Sequence, residues 1–296
     1  MPPKSEFPLQ LLTAARVVVV AGKGGVGKTT VTAVIARAAS DAGRRVLVVE
    51  LDGKPALAEL LPGIDVLSIS APEALDEYLR DHGFARIAKR LNRTGVIDVV
   101  GTAAPGIDDI VVLGKIKQLE RSDAYDLIVV DGPAAGHAIT FLTSAAGLAD
   151  AVSSGPVRAQ ADEVLELLHD PDRCQVVLVT LPETTPVNEV VETAYALEDD
   201  VGVQLGPVVV NAVDVGDPLP EDGDVRAAVA DLDPAAAQGL IEAAAFRRSR
   251  RAMEAAEIAR LATELPIPKI TLPARSVAGL TSFDIEQLAT TLRNSV

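Results

Sequence analysis

Val17-Val18-Val19-Val20-Ala21-Gly22-Lys23-Gly24-Gly25-Val26-Gly27-Lys28-Thr29-Thr30 is the stretch that decides how the rest of the chain must fold. Four consecutive valines suit a strand buried on both faces, the state of strands in a parallel sheet. Gly22 to Thr29 spell G-x-x-x-x-G-K-T, and Val31–Ala39 read as an alanine-rich helix. Strand, glycine loop and helix in that order make a phosphate-binding site. Glycines at 22, 24, 25 and 27 remove Cβ atoms, so backbone N–H groups wrap an anion ahead of the positive helix end. Gly24, Gly25, Val26, Gly27, Lys28, Thr29 and Thr30 are therefore the expected nucleotide cradle. Lys28 supplies charge to the β- and γ-phosphates, and the Thr29 hydroxyl a ligand for Mg²⁺. The competing reading is a glycine turn that binds nothing. The Lys-Thr pair, flanked by a strand and a helix, argues against it.

Composition narrows what the nucleotide serves. The chain has 296 residues, with 42 acidic against 27 basic side chains and a net charge of −15. Such a balance is poor for a non-specific DNA binder, whose affinity comes from neutralising phosphates, and for docking on an anionic membrane. Cys174 is the only cysteine, which excludes a disulfide framework and a thiolate metal cage. Aromatic residues make up 3% with no Trp, so Val, Leu, Ile and Ala must fill the core. No apolar run approaches the roughly 20 residues of a membrane crossing, and the one after Arg16 leads into the glycine loop rather than a cleavage site. These features predict a soluble cytoplasmic chain.

Outward from the loop, strands and helices alternate. Arg45–Leu51 reads as a second buried strand delivering Asp52, and Val66–Ser70 as a third, with Pro72 opening a helix. Ile110, Leu113, Ile116 and Leu119 recur at helical spacing over 108–120. Asp126–Asp131 is a strand followed by Gly132-Pro133-Ala134-Ala135-Gly136-His137 and a helix to about Ala151. A helix at 157–169, a strand at Gln175–Thr180, a helix at Val187–Leu197 and a strand at Val208–Val210 ending on Asn211 come next. Asp214–Asp224 is an acidic Pro/Gly loop, and an alanine-rich helical stretch to about Glu264 carries an expected break near Gly239. Ile270–Leu272 is the last strand, and Phe283, Ile285, Leu288 and Leu292 stripe a closing helix. Alternation throughout predicts one α/β domain over residues 1–296, a doubly wound, mostly parallel sheet flanked by helices. Helical insertions are expected at about 84–120 and 214–264.

Lys23, directly after the first glycine, gives the loop two lysines rather than one. In K-G-G-V-G-K-T the sequence resembles the deviant Walker A family of P-loop NTPases: the arsenite-pump ATPase ArsA, the tail-anchored-protein targeting ATPase, MinD, ParA and the nitrogenase iron protein. The resemblance implies an ATPase that takes ATP and Mg²⁺ and works as a face-to-face dimer. It implies that Lys23 reaches the partner's nucleotide, offsetting transition-state charge as an arginine finger does. A solvated surface lysine is the bland alternative. Asp52 and Asp131 lie at predicted strand ends, where ligands collect in open parallel sheets. The resemblance makes Asp52 the first-switch residue that activates water, and Asp131 the second-switch residue beside Mg²⁺. Either aspartate is otherwise a turn or helix cap. Asp131–His137 looks like the family's D-T-A-P-T-G-H, whereas Glu50-Leu51-Asp52-Gly53-Lys54-Pro55-Ala56 departs from S-T-D-P-A. Glu50 is the nearest alternative carboxylate. The resemblance also places Asn211, and Pro273 in Leu272-Pro273-Ala274, against adenine. For His137 a structural role is expected rather than catalysis.

Pro105-Gly106-Ile107-Asp108-Asp109 and Phe246-Arg247-Arg248…Met253 resemble the ArsA and tail-anchored-targeting branch. One cysteine cannot make the pump's metalloid site, and 230–250 holds no C-x-x-C for the targeting factor's zinc. With only Met1 and Met253, a client groove would be built of Leu, Ile, Val and Ala. Two functions follow. One is a dimeric switch, homodimer or heterodimer with a paralogous ATPase, that handles an apolar protein client. The other is a ParA/MinD-type positioning or partitioning ATPase. Acidic charge, the 105–109 segment and a closing helix with Arg293 as its only cation favour the first, without nucleic acid or stable membrane anchoring. The arginines at 247, 248, 250 and 251 form the one basic patch, expected to pair with nearby acids.

Overall fold

A computed structural model describes residues 8–51, 56–81 and 106–294. In chain order the described elements are α1 (Pro8–Leu12), β1 (Val17–Gly22), α2 (Lys28–Asp41), β2 (Val46–Glu50), α3 (Ala56–Leu60), β3 (Asp65–Ser68), α4 (Ala71–Asp81) and α5 (Ile107–Arg121). Then come β4 (Leu127–Ala134), α6 (Ala135–Ala151), α7 (Pro156–His169), β5 (Cys174–Thr180), α8 (Thr184–Ala196) and a π-helical turn Leu197–Val201. The last are β6 (Val208–Val213), α9 (Asp222–Ala228), α10 (Pro234–Glu264), β7 (Lys269–Pro273) and α11 (Ser282–Asn294). Asp52, Pro105 and the expected helical segment from 84 to 105 lie outside the described residues.

The seven described strands form one sheet in the order β3-β2-β4-β1-β5-β6-β7, and every pairing is parallel. The sheet is the doubly wound one expected, a P-loop NTPase architecture. Strand periodicity divides its core in two. Val17, Val19, Leu47, Val49, Ile128 and Val130 pack beneath a layer that includes α5, α6, α7 and α8. Val18, Val20, Val46, Val48, Leu127 and Val129 pack on the opposite side against α1, α2, α3 and α11. Burial on both faces is why the strands read as valine runs rather than alternating patterns.

Several elements differ from their expected form. The helix α10 runs for 31 residues straight through Gly239. One glycine costs about 1 kcal/mol in a helix, and the alanines around it offset that. Asp233 caps the helix, its carboxylate accepting from Ala235 N at 3.1 Å and Ala236 N at 3.3 Å. The stripe of α11 is Ile285, Leu288, Ala289 and Leu292, whereas Phe283 is 62% exposed. Part of the irregular entry is the short helix α1. Among the described residues no helix is long and apolar enough to cross a membrane.

Candidate functional site

Parity of the strands builds the site. Glu50 ends β2, in register with Asp131 of β4, which in turn pairs with Val20 of β1. All three continue the alternation facing α2, so the carboxylates emerge beside the glycine loop and the first turn of α2. The Thr29 hydroxyl donates to Asp131 Oδ2 at 2.8 Å, and the Thr32 hydroxyl to Asp131 Oδ1 at 3.3 Å. Thr29 and Thr32 are one helical turn apart and share a face, so one carboxylate engages both. Glu50 is buried at 5% exposure.

The loop itself depends on backbone that other residues avoid. Gly25 and Gly27 have φ of 87° and 90°, the left-handed region. A Cβ on Gly22 would stand 2.3 Å from the Val179 carbonyl oxygen, so β1 and β5 meet where only glycine fits. Gly24 and Gly25 are exposed, with nothing near a Cβ, and form the open mouth of the loop. Val26 is buried and anchors the loop's inner side. The Lys28 ammonium donates to the Lys23 carbonyl at 3.4 Å, bridging the loop back to its second residue. Thr30 lies beside Gly27 at the start of α2.

Asn211 lies within β6, which runs on to Val213, rather than at its end. Its amide nitrogen donates to the Val26 carbonyl at 2.9 Å and would stand 2.2 Å from a Cβ on Gly27. A register shift follows between Val210 and Val213, and Ala212 there adopts φ 57°. A non-glycine residue in that region costs of order 1 kcal/mol or more, a cost often found beside ligand sites. Pro273 ends β7 opposite Val213, at the same sheet end as Asn211 and one strand over.

Lys23 does not point into solvent alone. Its ammonium pairs with Glu189 of α8, both side chains about one-third exposed. Sequence reading missed Glu189 and Thr32. The i+3 spacing from Thr29 signals Thr32, whereas Glu189 has no local signal. His137 is exposed on α6, and its charge opposes the upward shift that burial and Asp108 impose on the Asp109 carboxyl. The start of α6 and the Gly106–Asp109 segment are thus electrostatic neighbours. The four arginines pair with this chain's own groups: Arg247 with Asp214, Arg248 with Asp222, Arg250 with Glu254, and Arg251 with the Asp217 carbonyl.

Hard oxygen donors beside a lysine and a left-handed glycine cradle fit a nucleotide with Mg²⁺. Thr29 would ligate the ion and Asp131 would orient Thr29. Among the described residues no cluster of three His, Cys, Asp or Glu side chains could hold a metal ion by itself.

Residues 17–294 match the CobQ/CobB/MinD/ParA nucleotide-binding domain family. The chain is 31% identical over 305 residues to ATPase BagA of Mycobacterium tuberculosis, covering 90% of this chain and 89% of that one. It is 28% identical over 287 residues to a putative arsenical pump-driving ATPase of Halobacterium salinarum, covering 86% of this chain and 40% of that protein. An arsenical pump-driving ATPase of Escherichia coli is 31% identical over 203 residues, 66% of this chain and 34% of its own length. This chain thus spans well under half the length of those two arsenical pump-driving relatives. Match and geometry agree: the chain belongs to the CobQ/CobB/MinD/ParA nucleotide-binding domain family and is a homologue of the arsenical pump-driving ATPases.

Proposed function

We propose that this chain is a Mg²⁺-dependent ATPase, converting ATP to ADP and phosphate, whose two nucleotide states govern a cytoplasmic dimer that handles an apolar protein segment. The observation that carries the reading is the second lysine. Lys23 stands at the exposed mouth of the loop, apart from the Thr29–Asp131 pair that would manage Mg²⁺. A cation there serves its own phosphates less well than those of a facing subunit, whether a second copy or a paralogue. Support for an apolar client is a groove of about 420 Å³ between the start of α8 and α10, where Phe246 and Met253 are 71% and 66% exposed beside Pro182 and Pro186. Its apolar side chains are Phe, Met and Pro rather than the Leu, Ile, Val and Ala expected of such a groove, and Glu183, Arg250, Glu254 and Glu257 line it as well.

A ParA/MinD-type positioning ATPase is the second reading. The matched family description favours it, and the pairing of all four α10 arginines weighs against its DNA-binding form. Arsenite handling finds no support in the fully buried Cys174. Native mass spectrometry with and without Mg²⁺-ATP, paired with calorimetry on Lys28→Ala, tests the proposal. Dimers that require ATP, and a variant that no longer binds it tightly, are expected. Unchanged ATP affinity in Lys28→Ala overturns the site assignment. A gel shift with DNA or ATP-dependent liposome sedimentation would move the reading to the positioning class.

A further inference from the structure

We propose that Glu189 is a positioning residue for Lys23, an intramolecular partner that holds it until the nucleotide-loaded dimer forms. The inference rests on the reading that Lys23 serves a facing subunit. Glu189 lies 166 residues from Lys23, and only topology joins them. Because β5 neighbours β1, the helix that follows β5 stands beside the loop that follows β1. The acid is fixed from behind. Pro186, Val187, Val190, Thr193 and Ala194 bury the inner face of α8. Around the lysine only the side chain has room to move. Its carbonyl accepts from Lys28 Nζ and from Val26 N–H at 3.5 Å, while Gly24 and Gly25 leave open space outside.

Exposure of 37% and 36% makes the pair a poor stability device, since exposed ion pairs contribute little. The same modest energy suits a competitor. A lysine drawn to Glu189 must leave it to reach a phosphate across the interface, so the pair lowers the fraction of chains ready to close. Apparent affinity for assembly falls by that fraction.

Assembly of purified full-length protein, followed by light scattering against protein concentration with Mg²⁺ and a non-hydrolysable ATP analogue, tests the proposal. Glu189→Gln should lower the half-assembly concentration roughly two- to fivefold, an effect that shrinks with added salt. Glu189→Asp, with a shorter reach, should fall between wild type and Gln. In a Lys23→Ala background, Glu189→Gln should change nothing. Circular dichroism melts confirm that each variant folds. If Lys23→Ala is defective yet Glu189→Gln assembles at the wild-type concentration, or less readily, the holding role is wrong and the trans-acting lysine stands. If Lys23→Ala itself assembles and turns over as wild type, the trans-acting reading fails and takes this inference with it.

Discussion

Thr29 and Asp131 meet at 2.8 Å, hydroxyl to carboxylate, across 102 residues of sequence. Both places are set by the sheet. β4 lies between β2 and β1, so its aspartate stands next to the loop that β1 delivers. A carboxylate so placed orients the hydroxyl that would ligate Mg²⁺. Asp131→Ala should therefore raise the Mg²⁺ concentration needed for half-maximal ATP turnover by roughly 10–100-fold, the usual cost of losing an outer-shell partner. Thr32→Ala should cost less, because Thr29 keeps its bond. A Mg²⁺ titration of phosphate release measures both, and an unchanged requirement in Asp131→Ala removes the aspartate from the metal site.

Gly27 faces two constraints that one substitution separates. Its φ of 90° penalises any side chain, and an added Cβ meets the amide of Asn211. Gly27→Ala should lose roughly 1–2 kcal/mol from the backbone alone, with further loss from crowding. Asn211→Ala in the same chain should recover the crowding part and leave the backbone part. Melting temperatures of the two single variants and the double variant give the split.

Water activation is expected of a carboxylate at the end of β2. Asp52→Asn should retain Mg²⁺-ATP and slow hydrolysis roughly 10²–10⁴-fold if the residue acts as general base. Wild-type turnover in Asp52→Asn would shift the role to Glu50, which is buried and in register with Asp131. Single-turnover phosphate release decides between them.

Legibility in the sequence followed the range of the physics. The Val17–Val20 and Leu127–Val130 runs announce strands because burial on both faces leaves no alternation to confuse. The loop is legible because its glycines and Lys-Thr pair answer to one short-range geometry. Asn211 reads as a strand end because nothing local signals the shift at Ala212 that carries the strand on to Val213. Phe283 shares the helical stripe of its neighbours, yet the helix turns it outward. Glu189 was out of reach altogether, since its contact with Lys23 exists only once β5 has been laid beside β1.

Cys174 begins β5 opposite Val17 in the sealed centre of the sheet. Burial pushes its thiol up to about 12, so the thiolate that would react or bind a metalloid is absent near neutrality. Iodoacetamide at pH 8 should leave the folded chain unlabelled and modify the denatured one, as mass spectrometry would read. Arsenite and antimonite should not stimulate turnover. Cys174→Ser should melt earlier, because it buries a hydroxyl at a cost of about 1–3 kcal/mol, while turnover per folded molecule stays unchanged. Clear metalloid stimulation would restore a pump-type role.

Asp214 and Arg247 form the anchor of the loop between β6 and α9. The guanidinium donates twice, Nε to Oδ2 at 2.7 Å and Nη2 to Oδ1 at 2.8 Å, and Gly216 N–H adds a bond at 3.1 Å. Arg248 and Arg251 hold the Pro220 and Asp217 carbonyls further along the same loop. The Arg247 hydrogen bonds, with Gly216 and nearby positive charge, hold the Asp214 carboxyl well below the usual carboxylate range. A carboxyl depressed on folding adds stability above its unfolded pKa, near ~3.9, and loses it only as pH falls through the lower folded value. The clamp should thus persist at pH about 4, where an unpaired aspartate is half protonated. Hydrogen exchange of amides 214–222 reads it. Arg247→Ala should speed their exchange roughly fivefold at pH 7, the modest effect of an exposed pair. Arg247→Lys should rescue only in part, because an ammonium cannot reproduce the fork. Exchange that speeds up in the wild type between pH 7 and 4, beyond the intrinsic pH dependence, would show that the clamp opens with ordinary carboxylate titration.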